Sequence, residues 1–352
     1  MTDTAEKLRI GINGFGRIGK LVLRSVFHQF SSSIVVTAIN DPFLTPEYVG
    51  YLIVHDTTFG NPKFDVETGS DYVTVNGHKI HVYAEKYAAD IPWSDSGVLF
   101  VAETSGFYTS SESAKAHLRE GSVRKVVISA PAKDTTTPTF VLGVNEDKYD
   151  PNSMHVVSNA SCTTNCVAPL VKIVHENCGI VEGFMTTIHA ATATQKVVDS
   201  VSKKDYRSGR SVLQNIIPAS TGATKAVARV LPEVEGKFSG LAFRVPVSNV
   251  SVVDLTLKLE KPIESIYDIA EAINRAALPH IIGHTSEDVV SSDFLGDARS
   301  CILDVKASML LNPTFVKLIA YYDNEWAYAM RMVELLLYMK SAETAETAGT
   351  KA

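Results

Sequence analysis

Ile12-Asn13-Gly14-Phe15-Gly16-Arg17-Ile18-Gly19 is the stretch that decides the fold of this chain. Its Gly-x-Gly-x-x-Gly spacing follows a short apolar strand predicted over Leu8 to Asn13 and precedes a helix pattern. That context is typical of a dinucleotide-binding βαβ unit. Gly14 would permit the tight turn, Gly16 would let the backbone approach a pyrophosphate, and Gly19 would let helix and strand pack closely.

Asp41 lies where such a unit carries its acidic residue, 22 positions after Gly19 and just beyond a second predicted strand, Ile34 to Ile39. Its carboxylate would accept hydrogen bonds from the adenosine ribose and would repel a 2′-phosphate, which favours NAD over NADP. The alternative is a plain turn before Pro42, because Asp-Pro often marks one. The spacing favours the ribose role.

An open α/β sheet is predicted to continue from these strands. Strands at 72–75 and 80–83 flank Asn76-Gly77, a hairpin signal. Further strands are predicted at 98–101 and 125–128, with a polar helix over 111–119 between them. Because ligands bind at the carboxyl ends of strands in such sheets, Thr104, Ser105 and Ser129 are candidate cofactor contacts, although each also suits an ordinary loop.

A second informative stretch, Ser158 to Cys166, predicts a turn of small polar residues that opens a helix with Cys162 in its first turn. Asn159 and Ser161 are candidate helix caps. Unpaired N–H groups and the positive end of the helix dipole favour a thiolate, and therefore a nucleophile. The alternative is a cysteine that simply fills the core.

Two later residues favour the interpretation of Cys162 as a nucleophile. A strand ending in His189, 27 residues beyond Cys162, predicts the Cys/His arrangement that deprotonates a thiol and later handles an oxyanion. Arg244 follows on a strand flanked by apolar residues, where a half-buried guanidinium needs an anionic partner. Residues 218–222 are predicted to open another helix, whose N–H groups and hydroxyls suit a phosphate or a simple cap.

Composition limits the function classes. A chain of 352 residues with 45% hydrophobic and 20% charged residues predicts two globular domains. The net charge of −6 argues against nucleic acid as the main partner. Four scattered cysteines, with no Cys-x-x-Cys, predict reduced thiols, no metal site and a cytoplasmic location. No apolar run approaches the ~20 residues of a membrane span.

These motifs together resemble phosphorylating glyceraldehyde-3-phosphate dehydrogenases over nearly the whole chain. The resemblance is carried by the stretches already quoted, Ile12 to Gly19, Ser158 to Cys166 and the strand ending in His189, and by Gln214-Asn215-Ile216-Ile217-Pro218, Thr221-Gly222 and Tyr322-Asp323-Asn324-Glu325-Trp326. It implies an α/β chain with an N-terminal Rossmann domain over 1–161 and an α+β catalytic domain with a mixed or antiparallel sheet over 162–323. A C-terminal helix, 324–340, would return to the first domain, and we expect a disordered tail over 341–352.

The resemblance also implies a mechanism. Cys162 would attack the aldehyde of glyceraldehyde 3-phosphate, with His189 as base; hydride would pass to NAD, and inorganic phosphate would release an acyl phosphate from the thioester. Thr192 and Arg244 would hold the substrate phosphate, and the attacking phosphate would be held by Ser161, Thr163, Thr221 and Gly222. Cofactor positions are matched by Gly14, Gly16, Arg17, Ile18, Gly19, Asp41, Lys86, Ser129 and Asn324. The family is a homotetramer, in which the loop from Ser200 to Arg210 would lie at a subunit interface.

The chain departs from the family pattern at four places: Thr104-Ser105, Ala191, Ser200-Val201 and Ala327. None of them removes a catalytic atom. Two alternatives stay open at this stage. One is an erythrose-4-phosphate dehydrogenase that uses the same Cys, His and Arg. The other is a non-catalytic binding role on the same fold, against which the intact Cys162, His189 and Arg244 argue.

Overall fold

The computed structural model describes residues 7–202 and 205–349, which form two compact units. Within the described residues the first unit is built from 7–140, 147–160 and 329–349. The second unit is built from 141–146 and 161–328. The first unit therefore takes chain from both ends of the sequence.

The first unit contains an eight-stranded sheet. In chain order its strands are β1 Leu8–Asn13, β2 Ile34–Asn40, β3 Val66–Thr68, β4 Tyr72–Val75, β5 His78–Tyr83, β6 Phe100–Glu103, β7 Lys125–Ile128 and β8 Val156–Ser158. Their order across the sheet is β3-β4-β5-β2-β1-β6-β7-β8, and the last six of these are parallel. That order is the doubly wound 3-2-1-4-5-6 arrangement, so the predicted Rossmann fold is confirmed.

Strands β1 and β2 are apolar because this sheet is buried. Ile10, Ile12 and Ile39 are among their fully buried side chains. The helices of the unit are α1 Arg17–Ser25, α2 Pro46–Val54 and α3 Ser111–Ala114. The sequence placed β6 two residues too early, since a left-handed Gly97 and a short lead-in precede it. The helix predicted over 111–119 ends as α3 at Ala114, followed by one 3₁₀ turn.

The second unit contains a seven-stranded mixed sheet. Its strands are β9 Ile180–His189, β10 Ile217–Ser220, β11 Phe238–Arg244, β12 Ser251–Leu259, β13 Ile282–Thr285, β14 Cys301–Asn312 and β15 Phe315–Tyr322. The order is β10-β11-β9-β12-β15-β14-β13, in which only the pairs β11·β9 and β13·β14 are parallel. This confirms the predicted mixed catalytic sheet. Residues 218–222 were predicted to open a helix, but 217–220 form β10, an edge strand that pairs with β11 and tolerates Pro218. The predicted helix begins just beyond this strand, at Ala223, with Gly222 as its N-cap.

Helices α4 Cys162–Cys178, α5 Ala223–Val230 and α6 Ile266–Arg275 belong to the same unit. The long helix α4 packs on the sheet through a fully buried apolar stripe, as its sequence predicts; the stripe comprises Val167, Leu170, Val171 and Val174. This packing carries the N-terminus of α4, and with it Cys162, to the strand ends that hold the other site residues.

The register of β11 on β9 places two of those residues side by side. The strands run parallel, and Arg244 pairs with His189 at the end of both. Paired residues of neighbouring strands point to the same face of the sheet, at the ~4.8 Å spacing of strands. The contact between Arg244 and His189 is thus a direct product of strand pairing.

The C-terminal helix α7 runs from Trp326 to Gly349, and its residues from Ala329 onward belong to the first unit. The sequence predicted that this helix ends near residue 340 and that a disordered tail follows. The structure differs, because the helix continues through Ser341 to Gly349, and Glu343 pairs with Arg124 at 2.9 Å and with buried Lys125 at 3.7 Å. Residues 350–352 lie outside the described residues.

Two features are absent from the described residues. None of the helices there is long and apolar enough to cross a membrane. Residues 7–202 and 205–349 also hold no group of three or more His, Cys, Asp or Glu side chains placed to bind a metal ion.

Candidate active site

The N-terminus of α4 is built as a capped helix start. Ser161 is the N-cap, with an extended backbone, and its Oγ accepts the N–H of Thr164 at 3.1 Å. Cys162 is the first helical residue, as predicted. Asn159, the other predicted cap, is buried two residues earlier, where its N–H donates to the Ile128 carbonyl. Ala160 between them has a left-handed φ of 54°, which turns the chain into the helix.

Three predicted side chains meet in one row. Cys162 Sγ lies 3.5 Å from His189 Nε2, and the opposite ring nitrogen, Nδ1, lies 2.6 Å from Arg244 Nη1. His189 is buried, whereas the Cys162 residue is partly exposed. The structure therefore joins a cysteine at a helix N-terminus, a histidine and an arginine into one contact chain, although the three come from α4, β9 and β11.

The protonation of this row differs from the sequence-based expectation. We expected the helix terminus and His189 to depress the pKa of Cys162. Burial instead raises that pKa, and it outweighs the Arg244 charge and the Thr163 N–H, which act in the opposite direction. Burial, helped by the Arg244 charge, lowers the pKa of His189 to about 4. These two shifts both favour the uncharged forms, a thiol on Cys162 and a neutral imidazole on His189.

The three other cysteines are buried, free thiols. Burial, together with contact between the Cys166 and Cys301 thiols, raises the pKa of Cys166 well above its ordinary value. Burial also raises the pKa of Cys178. Both shifts favour the protonated thiol, including at Cys166, one turn deeper in α4 than Cys162.

Tyr322 contacts both of the elements that carry Cys162 and His189. Its hydroxyl lies 2.8 Å from Thr163 Oγ1 and 2.9 Å from Thr187 Oγ1, and its ring packs edge-on to His189. Ser251 Oγ, in turn, accepts the Ala190 N–H and donates to Asn324 Oδ1. These bonds fix the first turn of α4 and the end of β9, and so fix the distance between nucleophile and base.

The remaining predicted phosphate residues lie in their own turns. Thr221 Oγ1 accepts the Ala223 N–H at the start of α5, and Gly222 is the N-cap of that helix, with open space where a Cβ would be. The Thr192 N–H donates to Gln195 Oε1. Among the described residues neither threonine hydrogen-bonds to Cys162, His189 or Arg244.

The glycine loop of the first unit fits a dinucleotide. A Cβ on Gly14, whose φ is +85°, would lie 2.5 Å from the Ser105 backbone, and a Cβ on Gly19 would lie 2.1 Å from the Gly14 oxygen. Gly16, in contrast, has nothing within 4 Å of its missing Cβ. The first and third glycines are thus required by packing, and the second leaves an open approach to the N-terminus of α1, where backbone N–H groups suit a pyrophosphate.

The Asp41 carboxylate forms a hydrogen bond with this loop. One of its carboxylate oxygens accepts the Phe15 N–H at 2.9 Å, and the other accepts the Phe43 N–H at 3.0 Å. The second bond closes a turn around Pro42, which is the alternative role that the sequence suggested for Asp41. Both roles are compatible, since an ionised carboxylate has about four acceptor positions and only two are used here.

The other predicted cofactor residues make mostly local contacts. Thr104 Oγ1 donates to the Asn13 and Gly14 carbonyls, and Ser105 Oγ donates to Glu103. Arg17 pairs with Asp56, while Ile18 follows it in the first turn of α1. Lys86 and Ser129 complete the predicted set; the Lys86 ammonium lies 5.4 Å from the Tyr87 ring centroid, and the Ser129 N–H donates to the Glu103 carbonyl.

A buried hydrogen-bond network, which the sequence did not predict, lies beneath the glycine loop. Glu103 is 1% exposed and accepts bonds from Asn13 Nδ2 at 2.6 Å, from His117 Nε2 at 2.8 Å and from the Ser105 N–H at 2.8 Å. Since the Trp93 indole donates to His117 Nδ1, the histidine proton lies on Nε2. A glutamate directly after a buried strand was the available signal, because a buried carboxylate needs partners.

Comparison with known proteins decides the family. The family model for the glyceraldehyde 3-phosphate dehydrogenase NAD-binding domain matches residues 8–111, and the one for the C-terminal domain of that family matches residues 161–324. Glyceraldehyde-3-phosphate dehydrogenase 2 of Danio rerio is 52% identical over 341 residues, 96% of this chain and 100% of its own length. Glyceraldehyde-3-phosphate dehydrogenase B of Aspergillus oryzae is 51% identical over 336 residues, 95% of this chain and 98% of its own length.

The chain belongs to the glyceraldehyde-3-phosphate dehydrogenase family. As a member of that family it is an NAD-dependent oxidoreductase, which confirms the predicted cofactor and enzyme class. The testis-specific member from Mus musculus is 53% identical over 342 residues, 96% of this chain and 76% of its own length.

The four departures from the family pattern leave the site's contact row intact. Thr104 keeps a hydroxyl that bonds the glycine loop. The Ala191 N–H donates to the Val247 carbonyl, and Ala327 is buried in the first turn of α7. At the fourth departure, Val201 is highly exposed. The hydrogen bonds that join Cys162, His189 and Arg244 involve none of these residues.

Proposed function

We propose that the chain oxidises glyceraldehyde 3-phosphate, with NAD and inorganic phosphate, to 1,3-bisphosphoglycerate. The observation that carries the proposal is the row of Cys162, His189 and Arg244. It supplies a nucleophile, a base 3.5 Å away and a cation for an anionic substrate. NAD, when bound, supplies a hydride acceptor.

Cys162 attacks the aldehyde carbon and forms a hemithioacetal, while the thiol proton leaves. His189 takes up that proton as the base. Its Nε2–H then donates a hydrogen bond to the oxygen that becomes an oxyanion. Loss of hydride from the same carbon leaves a thioester on Cys162. An oxygen of inorganic phosphate then attacks the thioester carbon, which forms the acyl phosphate and frees the thiol.

Within this proposal Arg244 and Thr192 hold the phosphate of the substrate. The attacking phosphate meets Ser161, Thr163, Thr221 and Gly222. Support comes from the open N-terminus of α5 at Gly222 and from the capped N-terminus of α4 at Ser161. On the first unit the cofactor positions are Gly14, Gly16, Arg17, Ile18, Gly19, Asp41, Lys86, Thr104, Ser105 and Ser129, and Asn324 completes them.

NADH formation tests the proposal. The wild type should reduce NAD with glyceraldehyde 3-phosphate only when inorganic phosphate is present, and Cys162→Ser should abolish turnover while the chain still binds NAD. Cys178→Ser is the matched control, because that thiol lies at the far end of α4. Faster turnover of erythrose 4-phosphate than of glyceraldehyde 3-phosphate would show that the proposed substrate is wrong. If both variants kept full activity, Cys162 would have no role in the chemistry.

Arg244→Leu tests the phosphate role. We expect it to reduce kcat/KM for glyceraldehyde 3-phosphate by about a hundredfold, the value of a lost charge-assisted hydrogen bond pair, and to affect free glyceraldehyde much less. Equal losses on both aldehydes would make Arg244 a purely structural residue.

A further proposal concerns the state of the protein in the cell. The enzyme forms a homotetramer in the cytoplasm, with the loop from Ser200 to Arg210 at a subunit interface. Four free thiols support a reducing compartment. The loop exposes Val201 and Tyr206 at 87% and 97%, more apolar surface than an isolated loop needs.

A further inference from the structure

Glu103, the last residue of β6, is a buried carboxylate that faces a donor at every acceptor position. Its Oε1 accepts the N–H and the hydroxyl of Ser105, and its Oε2 accepts Asn13 Nδ2 at 2.6 Å and His117 Nε2 at 2.8 Å. A carboxylate has about four acceptor positions, so all of them are in use. Within the described residues no lysine or arginine pairs with Glu103, and hydrogen bonds alone stabilise the buried charge.

From Glu103 a row of hydrogen bonds runs across neighbouring strand ends in one direction. A carboxylate only accepts, so the Asn13 amide must turn its NH2 group toward Glu103. The Asn13 oxygen then accepts Asn40 Nδ2 at 2.9 Å, and the Asn40 oxygen accepts the Glu85 N–H at 2.8 Å. The carboxylate at one end and the N–H at the other require the same orientation of both amides. These four residues form an amide relay.

The amide relay lies directly beside the residues that the proposed function assigns to the cofactor. Each relay residue precedes or holds one of them; they are Gly14, Asp41, Lys86 and Ser105. The Gly14 N–H also donates to the Asn40 carbonyl at 2.7 Å, and the Asp41 carboxylate accepts the Phe15 N–H. The relay therefore fixes the glycine turn relative to the ribose acceptor Asp41.

A glutamine in place of Glu103 could not satisfy this site in either orientation of its amide. Two donors face each oxygen of Glu103, so the new NH2 group would always meet two other donors. Rotating Asn13 would move the conflict to Asn40, whose amide is held by both the N–H and the carbonyl of Glu85. The conflict therefore stays inside the amide relay, however its amides turn.

We propose that Glu103 is a positioning residue for NAD, whose buried charge orients Asn13 and Asn40 and so holds the glycine turn and Asp41 in the arrangement that binds the cofactor. The inference rests on the proposed function for the cofactor positions. Glu103 is 1% exposed, so it acts through its neighbours. A site that is ordered before NAD arrives loses less freedom on binding, which offsets the cost of burying a carboxylate.

Isothermal titration with NAD and with ADP-ribose measures the effect without turnover. Glu103→Gln should weaken the binding of both about tenfold or more, which is the effect of one lost hydrogen bond to a charged group. ADP-ribose keeps the pyrophosphate and the adenosine ribose but has no nicotinamide. An equal loss for the two ligands therefore assigns the defect to the glycine turn and Asp41.

A double-mutant cycle separates the amide relay from a local packing defect. Asn40→Leu keeps a similar volume and removes the amide that prevents Asn13 from rotating. Glu103 and Asn40 lie two strands apart, about 10 Å, where unconnected substitutions multiply their effects on affinity. In the Asn40→Leu background, Glu103→Gln should cost only about a third of its fold-loss in the wild type, or less. Asn40→Leu alone should weaken NAD about threefold or more, and it tests the relay if Glu103→Gln does not fold.

Glu343→Ala is the matched control for a general loss of stability. It deprives buried Lys125 of a carboxylate at the amino end of β7, opposite the strand ends that carry the relay. It should leave NAD affinity within about twofold of the wild type. Unchanged affinity in Glu103→Gln or Asn40→Leu, an equal loss in Glu343→Ala, or fold-losses that multiply in the double variant would overturn the inference. A wild type that binds NAD but forms no NADH contradicts the proposed function alone.

Discussion

At the scale of single residues, the site depends on burial as much as on chemistry. Cys162 was recognisable because a helix start and a thiol are both local features of the sequence. Its protonation was not, since it depends on Arg244 and on packing from strands distant in the chain. The three residues that meet in the row could therefore be named from the sequence, whereas their protonation could not.

Asp41 should set the cofactor preference. Asp41→Asn removes the negative charge but keeps an oxygen for the Phe15 N–H. It should therefore weaken the bond to the NAD ribose and remove the repulsion of a 2′-phosphate, which raises the ratio of NADP to NAD affinity about tenfold or more. Asp41→Ala also removes the support of the loop and should weaken NAD binding further. Isothermal titration with NAD and NADP measures both effects.

If Asp41 served only the turn before Pro42, the two substitutions would leave the ratio of NADP to NAD affinity unchanged. A wild type that bound both cofactors equally would lead to the same conclusion. Asp65→Asn, outside the glycine loop, is a suitable control for a general effect of lost charge.

At the scale of elements, the sequence predicted those helices, strands and turns that depend on local residues alone. The Gly-x-Gly-x-x-Gly turn, α1 and the apolar strands β1 and β2 all follow from local sequence. Strand pairing does not: His189 and Arg244 are 55 positions apart, and nothing in the sequence shows that they become register partners. The buried partners of Glu103 were hidden for the same reason, because Asn13 and His117 reach it from other elements.

The C-terminal part of α7 shows a different limit. Its Ala-Glu-Thr repeats carry no large apolar residue, which suggested disorder. Extending an existing helix needs no new nucleus, however, and alanine and glutamate are good helix formers. Glu343 then finds a buried lysine, Lys125, that needs an anion.

Glu343→Ala should therefore destabilise the first unit. We expect a loss of about 1–2 kcal/mol in the free energy of unfolding, because buried Lys125 loses its carboxylate and keeps carbonyl, imidazole and aromatic-ring partners, which carry no full negative charge. Urea unfolding followed by circular dichroism measures it. Glu112→Ala, which removes an exposed ion pair with Lys115, should cost close to nothing, and equal costs for the two variants would contradict the assignment.

Acid stability should depend on the ion pairs between α1 and the turn after α2. Asp56 has no exposed side-chain area and pairs with Lys20 at 2.6 Å and with Arg17. Burial acts to raise the pKa of Asp56, but the bonds from Lys20 and the Phe59 N–H, with the Arg17 charge, hold it well below its ordinary value. A carboxyl with a depressed folded pKa contributes its full stability above its unfolded pKa of about 4 and loses it as the pH falls further.

Asp56→Asn should accordingly lower the melting temperature at pH 7, by breaking a buried pair worth about 3 kcal/mol. The difference in melting temperature between wild type and variant should become smaller between about pH 4 and pH 3, where the wild type begins to lose the ion pairs of Asp56. Differential scanning calorimetry at several pH values measures the gap. Asp288→Asn, which breaks an exposed pair with Lys306, should show almost no gap at any pH, and a gap for Asp56→Asn that widens in acid would refute the linkage.

At the scale of the whole molecule, each unit is held by its own sheet, and the chain passes between the two units four times, whereas a simple two-domain order needs one passage. Length and composition were enough to predict two domains. They could not show that residues 141–146 join the second unit or that residues 329–349 join the first, since both assignments depend on packing.

The enzyme should sediment as a homotetramer of four 38.2 kDa chains. The loop that carries Val201 and Tyr206 leaves large apolar side chains exposed, and burying them against other subunits would remove that surface from water. Val201→Ser with Tyr206→Ser should shift the sedimentation profile toward smaller species, whereas Tyr267→Ser, on α6, should not. A monomeric wild type at micromolar concentration would contradict the proposal.

The pairing of β11 with β9 also limits how the gene can change in length. Side chains alternate between the two faces of a strand, so loss of one codon within β11 would turn Arg244 away from His189 and turn every neighbouring residue over with it. A codon gained in the exposed loop between β9 and β10 leaves that alternation untouched. Inherited insertions and deletions should therefore accumulate in the loop and be purged from the strand, although the strand holds only one of the three residues in the row.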